Sequence, residues 1–147
     1  MQPRLSVLGG AVLGEHATGK SLPLDRRGAL LAYLAYDGGW VARDRLVLLF
    51  WPDADQAGAR RNLRQLLYRT RQLALDLRLD PELEIAPDAL RWSIETDVKG
   101  FRAALAAGDG AAALELYTGP LLQGVAPDDS SGFDAWLDSE RASLQAA

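Results

Sequence analysis

With 147 residues, 48% of them apolar and 24% charged, the chain has an ordinary globular composition, which makes disorder or a fibrous repeat a poor account of it. It has no cysteine, so disulfides, thiolate metal sites and thiol nucleophiles are excluded too, and the single histidine, His16, has no second histidine or cysteine to complete a metal site and is expected at the surface. The net charge of −4 hides a division: residues 1–80 carry 12 Lys/Arg against 8 Asp/Glu, and residues 81–147 carry 4 against 12.

Parts so unlike in charge are suited to different partners. No apolar run is long enough for a signal peptide or a membrane span, so a cytoplasmic location with no membrane partner is expected.

In chain order, Leu5-Ser-Val-Leu8, Val12-Leu13 and Leu22-Pro-Leu24 are short apolar pieces separated by glycines, which predicts a small antiparallel sheet with Leu22–Leu24 at its edge because of Pro23. Leu30, Leu31, Leu34 and Ala35 recur at helical spacing between a capping Asp25 and the breaker Gly38-Gly39, predicting a first helix from Arg26 to Tyr36. A second helix, Arg43 to Trp51, starts from the weak cap Ala42 and is stopped by Pro52. Asp53 and Asp55 offer caps for a third, from about Gln56 to about Leu75, with Leu63, Leu66, Leu67, Thr70, Leu73 and Ala74 as its buried stripe.

Leu83-Glu-Ile85 and Leu90-Arg-Trp-Ser-Ile94 flank Ala86-Pro-Asp-Ala89, the pattern of a hairpin. Thr96 caps a fourth helix reaching about Ala107, Gly108-Asp109-Gly110 turns the chain, and Ala111 to about Tyr117 forms a fifth. After a polar loop, a last amphipathic helix runs from Phe133 to about Leu144. The four tryptophans, Trp40, Trp51, Trp92 and Trp136, are scattered, as packing residues are. A domain boundary is expected near residue 95.

The third helix concentrates the chemistry. It holds Arg60, Arg61, Arg64, Arg69 and Arg71, with no acidic residue from Gln56 to Leu75. These arginines, with Gln65, Tyr68 and Gln72, share the face opposite the leucines, although Arg71 lies close to the stripe. The planar fork of arginine bonds phosphate oxygens or a guanine edge bidentately, glutamine pairs with adenine, and tyrosine reaches a phosphate. A solvated helix face is the plainer alternative. Against it stands the order of elements: two helices, the basic helix after a short turn, then a hairpin carrying Arg91, as in a helix-turn-helix with a β wing.

The runs Leu-Ala-Tyr-Leu-Ala (31–35), Arg43-Asp-Arg-Leu, Leu-Phe-Trp-Pro-Asp (49–53) and Ala-Arg-Arg-Asn-Leu-Arg-Gln-Leu-Leu-Tyr-Arg-Thr-Arg (59–71) resemble the OmpR-type winged helix of the SARP class of bacterial transcriptional regulators. Asp97-Val-Lys-Gly-Phe101, residues 113–124 and Phe133-Asp-Ala-Trp-Leu-Asp-Ser-Glu-Arg141 are similar to the opening of the bacterial transcriptional activator domain that follows it. The resemblance implies an α+β fold. Residues 1–95 would form a winged helix-turn-helix with an N-terminal antiparallel sheet and a C-terminal wing, and residues 96–147 an all-α, TPR-like appendage of helical hairpins. It further implies no enzymatic activity, no cofactor and no metal, and double-stranded DNA as partner. Arg60, Arg61, Arg64, Gln65, Tyr68 and Arg69 would lie in the major groove, and the wing with Arg91 on the minor groove or backbone. Relatives usually continue with further helix pairs, so a short member or a piece of a longer regulator is implied. An apolar edge at Trp136, Leu137 and Leu144 is then expected to be uncovered, and a homodimer would close it.

Two other readings compete. Residues 97–147 could be a protein-interaction module, with RNA polymerase or another regulatory protein as partner. Gly14-Glu-His-Ala-Thr-Gly-Lys-Ser21 matches the phosphate-loop pattern G-x-x-x-x-G-K-[ST], but Leu22-Pro23-Leu24 follows where a helix should begin, and no clean strand supplies a metal-holding aspartate. Asp128-Asp129 is expected to be a solvated pair.

Overall fold

The computed structural model describes residues 4–10, 12–13, 20–21, 25–76, 83–92, 94–122 and 131–146. Chain order is β1 (Arg4–Ser6), β2 (Val12–Leu13), β3 (Lys20–Ser21), α1 (Arg26–Asp37), β4 (Val41–Ala42), α2 (Arg43–Phe50), α3 (Gln56–Asp76), β5 (Leu83–Ile85), β6 (Ala89–Trp92), β7 (Glu95–Thr96), α4 (Asp97–Ala106), α5 (Gly110–Leu116) and α6 (Ser131–Ala146). The expected piece Leu22–Leu24, His16 and Asp128-Asp129 lie outside the described residues. Among the described residues, Lys20–Ser21 runs antiparallel to β2, which lies between it and β1.

Helix α1 is the centre of the fold. Asp25 caps it, accepting from the Arg27 and Gly28 backbone N–H groups at 3.0 and 3.4 Å. Gly38 ends it in the left-handed region at φ 78° and donates its N–H to the Leu34 carbonyl. Every residue from Gly28 to Ala35 is buried, so the helix has no solvent stripe along that run. Gly28, Ala29, Ala32 and Ala35 keep it thin enough for neighbours to close on several sides. Helix α3 and strands β6 and β7 pack against it, and Trp136 of α6 meets Tyr33 and Tyr36 edge-on, with centroids 4.6 and 5.3 Å away.

Two small sheets frame this helix. The first has the order β3-β2-β1-β7, its outer pair β1 and β7 running parallel; the second has the order β4-β6-β5 and is antiparallel. Strand β7 ends in Thr96, whose hydroxyl caps α4 by accepting from the Lys99 N–H at 3.2 Å. The next residue, Asp97, is buried, and its carboxylate accepts the Val7 and Leu8 N–H groups at 2.8 and 3.0 Å. Burial pushes this carboxyl above the usual aspartate range, although backbone donors pull the other way. The chain near residue 95 is thus stitched to its own N-terminal strand.

Helix α6 docks on α2. A Cβ on Gly132 would lie 2.5 Å from the Leu48 carbonyl oxygen and 2.9 Å from that of Leu49, so only glycine permits this approach. Phe133 then stacks on Phe50, with centroids 5.4 Å apart. Arg141 donates from Nε to the Leu121 carbonyl at 2.8 Å and from Nη2 to that of Leu122 at 3.1 Å. It thereby holds a turn in which Leu122 sits at φ 50°, a left-handed conformation costing a non-glycine residue about 1 kcal/mol. Glu140 accepts the Tyr36 hydroxyl proton at 2.8 Å, and Arg102 donates to the same oxygen at 2.6 Å. Burial, then the Glu140 carboxylate, raises the Tyr36 phenol well above its ordinary value.

The expected uncovered edge is corrected by this packing. Leu137 and Leu144 are buried in the chain's own core, and Trp136 is half-buried between the two tyrosines of α1. The physical reason is Gly132, which lets the last helix fold back onto α2 and close the edge from within.

Candidate nucleic-acid interface

Helix α3 is set by its two neighbours. The α2–α3 turn begins where Pro52 stops α2, and Asp55 starts the next helix by accepting the Gly58 N–H at 2.7 Å. On the inner face Ala59, Leu63, Leu66, Leu67 and Thr70 are buried against α1 and α2. Thr70 satisfies its hydroxyl by donating to the Leu66 carbonyl at 2.7 Å. This anchoring is apolar throughout and uses none of the helix's charge.

The outer face holds the sequence-predicted residues together. Arg60, Arg61, Arg64, Gln65, Tyr68, Arg69 and also Arg71 are exposed, so Arg71 turns away from the stripe it adjoins. Among the described residues none of the five arginines forms an ion pair; the pairs seen there are Arg27 with Asp25 and Arg91 with Glu84. From Arg60 to Arg71 the rise is about 17 Å, so five positive charges lie within about two Debye lengths of each other at about 0.15 M salt. Such a surface attracts a polyanion and repels other cations.

The second sheet is placed differently. Strand β4 pairs with β6 in the register Val41↔Leu90, joining the start of α2 to the hairpin. Arg43 fastens the hairpin turn, donating from Nη2 to the Ala86 carbonyl and from its backbone N–H to that of Asp88, both at 2.9 Å. Arg91, expected to join the arginines of α3, faces Glu84 across the strands and donates from Nη2 to both carboxylate oxygens at 2.9 and 2.7 Å. Its guanidinium also lies over Trp40, 4.6 Å from the ring centroid. Its charge is already matched.

Three residues of this cluster were not among the sequence-predicted site: Arg43, Trp40 and Glu84. Glu84 had a usable signal, since it and Arg91 stand equally far from the centre of the turn and so face each other in any tight hairpin. Trp40, 49% exposed, had none, because its partner is far along the chain on another element. It is also the exception to the expectation that the tryptophans pack inside; Trp92 is fully buried, and Trp51 and Trp136 are partly so.

Lys20 and Ser21 of the phosphate-loop match lie in strand β3, and the next helix starts only at Arg26. A helix beginning at the Gly-Lys, as a phosphate loop requires, is therefore not seen at Lys20 and Ser21, and the rest of the match, residues 14–19, lies outside the described residues. Among the described residues no group of three or more His, Asp or Glu side chains is placed to hold a metal ion, and no helix is long and apolar enough to cross a membrane.

No family model matches the chain, and no curated protein matches it. Among solved structures it is similar to EmbR of Mycobacterium tuberculosis, determined in complex with a low-affinity phosphopeptide, with a TM-score of 0.68 and 22% identity. The match covers 98% of this chain and 44% of that one, so the chain spans less than half the length of the structure it resembles. The shared architecture is the expected α+β one: a winged helix-turn-helix with its small sheets, followed by packed helices.

Proposed function

We propose that this chain is the DNA-binding part of a bacterial transcriptional regulator, and that α3 enters the major groove of duplex DNA while the wing lies along the minor groove or the backbone. The observation that carries this is the outer face of α3, five arginines with no ion-pair partner among the described residues on a helix whose other face is fully used by the core. The resemblance of residues 31–35, 43–53 and 59–71 to the SARP class supports it, as does the fold shared with EmbR. Residues 1–95 are the reading module. Residues 96–147 brace it and face protein partners, RNA polymerase or another regulator among them, because this segment is acidic and leaves Leu105 and Leu114 exposed on the α4–α5 hairpin.

The test is binding to mixed duplex DNA as a function of salt. Each phosphate neutralised contributes a slope of about −0.9 in log affinity against log salt, so four or five of them give roughly −4. Affinity unchanged between about 50 and 200 mM salt would remove the proposal.

A further inference from the structure

The burial pattern of α3 divides its outer face in a way that residue type alone does not. Successive side chains on a helix are about 100° apart. At that spacing the buried Ala59, Leu63, Leu66, Leu67 and Thr70 fall within an arc of about 100°, and Arg61, Gln65, Tyr68 and Gln72 fall within about 60° centred diametrically opposite. Arg60, Arg64 and Arg71 lie together roughly a quarter-turn to one side of that stripe, and Arg69 about as far to the other. The outermost line of the helix is therefore mostly uncharged, with the remaining arginines on its flanks.

A helix about 10–12 Å across fills a major groove about 12 Å wide, so its outermost line meets the floor and its flanks meet the two phosphate walls. The residue types agree with their places. Flanking arginines suit phosphates, while amides, an arginine and a ring suit base edges. Tyr68 is the telling member. It is 69% exposed and has no hydrogen-bond partner among the described residues, so packing does not account for it, and its place on the outermost line turns its ring toward the groove floor and away from the phosphate walls.

We propose that sequence is read by the stripe Arg61, Gln65, Tyr68 and Gln72, with the ring of Tyr68 against a thymine methyl group, and that Arg60, Arg64, Arg69 and Arg71 hold phosphates without reading bases. This rests on the duplex-DNA reading above. From Arg61 to Gln72 the stripe spans about 17 Å, the length of about five base-pair steps. The readout along it is guanine for the arginine, adenine for each glutamine and, between them, thymine.

The experiment selects a preferred duplex with the wild-type chain, then replaces its thymines by deoxyuridine one at a time, removing only the methyl group. One position is expected to lose affinity about fourfold, the worth of one buried methyl-sized group. Tyr68→Phe keeps that loss and Tyr68→Ala abolishes it. Arg64→Ala is expected to weaken all sequences alike and to reduce the salt slope by about one, with base preference unchanged. Salt-dependent duplex binding with no sensitive thymine overturns the role given to Tyr68. A changed base preference in Arg64→Ala overturns the division of the face. Failure of the wild type to bind duplex DNA at all is a different result, and takes the functional reading down with the inference.

Discussion

Helices α3 and α6 are built alike and used differently. Each is long, amphipathic and docked by an apolar face on the same short helix, α2. On α6 two charged side chains turn inward to the chain: Glu140 takes Tyr36, and Arg141 takes the carbonyls of Leu121 and Leu122. On α3 five arginines hold no carboxylate among the described residues. An amphipathic pattern thus marks which face is buried but not what the other face is for; the partners of the polar residues decide that.

The largest effect expected from breaking this contrast is on the α6 side. Gly132→Ala puts a methyl group into the Leu48 and Leu49 backbone, which cannot rotate away as a side chain could. A cost of about 3 kcal/mol is expected, at the upper end for overpacking, read as a lowered denaturation midpoint. A midpoint within error of wild type would mean that the α2–α6 contact does not hold the fold.

The complementary change on α3 should leave stability alone and remove binding. Arg60→Ala combined with Arg64→Ala takes away two cations that would neutralise phosphates. Duplex affinity is expected to fall roughly fiftyfold at about 0.1 M salt, with the thermal midpoint unchanged. Stability falling with affinity would show that these arginines have a structural job on the exposed face.

Between these stands Asp97, which joins the two parts of the chain. Asp97→Asn presents an amide that accepts one of the two N–H groups and turns donors toward the other, so about 1–3 kcal/mol of stability should be lost. The pH dependence has a definite sign. Burial raises the carboxyl's value in the folded chain above that in the unfolded chain, so the folded chain holds the proton more tightly. Stability from this group is greatest below the unfolded value and falls as pH rises through the folded one. Denaturation across mildly acidic pH should show that slope in the wild type and lack it in Asp97→Asn.

Local chemistry made much of this fold legible. The caps Asp25, Asp55 and Thr96, the stop at Pro52 and the leucine stripe of α3 each act within a turn or two, and the helices they bound fall within a few residues of expectation. Strands β4 and β7 were not expected, because Ala42 and Thr96 read as the caps of the helices that follow them; only their partners Leu90 and Arg4–Leu5, far along the chain, make them strands. The inward fate of Trp136, Leu137 and Leu144 was hidden for the same reason. Gly132 has meaning only once α2 lies beside it. In the candidate site, the cluster on α3 was readable because one helix holds it all, whereas the pairing of Arg91 with Glu84 depends on a strand register.

The smallest expected effect tests that last point. Arg91 and the arginines of α3 are the same residue type in one proposed interface, and they differ in whether a carboxylate of the chain already holds the charge. Glu84→Gln removes that carboxylate and keeps its size, and Trp40 still supports the guanidinium from its other side. The pair is more than one-third exposed, so its loss should cost stability little, within the range of about 0–1 kcal/mol for solvent-screened ion pairs. What changes is the wing's charge, which rises by one unit. If the wing lies within a Debye length of the phosphates, about 8 Å at physiological ionic strength, duplex affinity should rise about two- to threefold, about half a kcal/mol, and the salt slope should steepen. Arg91→Ala in the wild type lowers the same charge by one unit and should weaken binding about two- to threefold, less than the roughly sevenfold of Arg64→Ala, which removes a phosphate contact. The two variants together separate the alternatives: a large loss of affinity in Arg91→Ala, with no gain in Glu84→Gln, would show that the arginine leaves Glu84 to meet DNA, and the wing would then belong with α3.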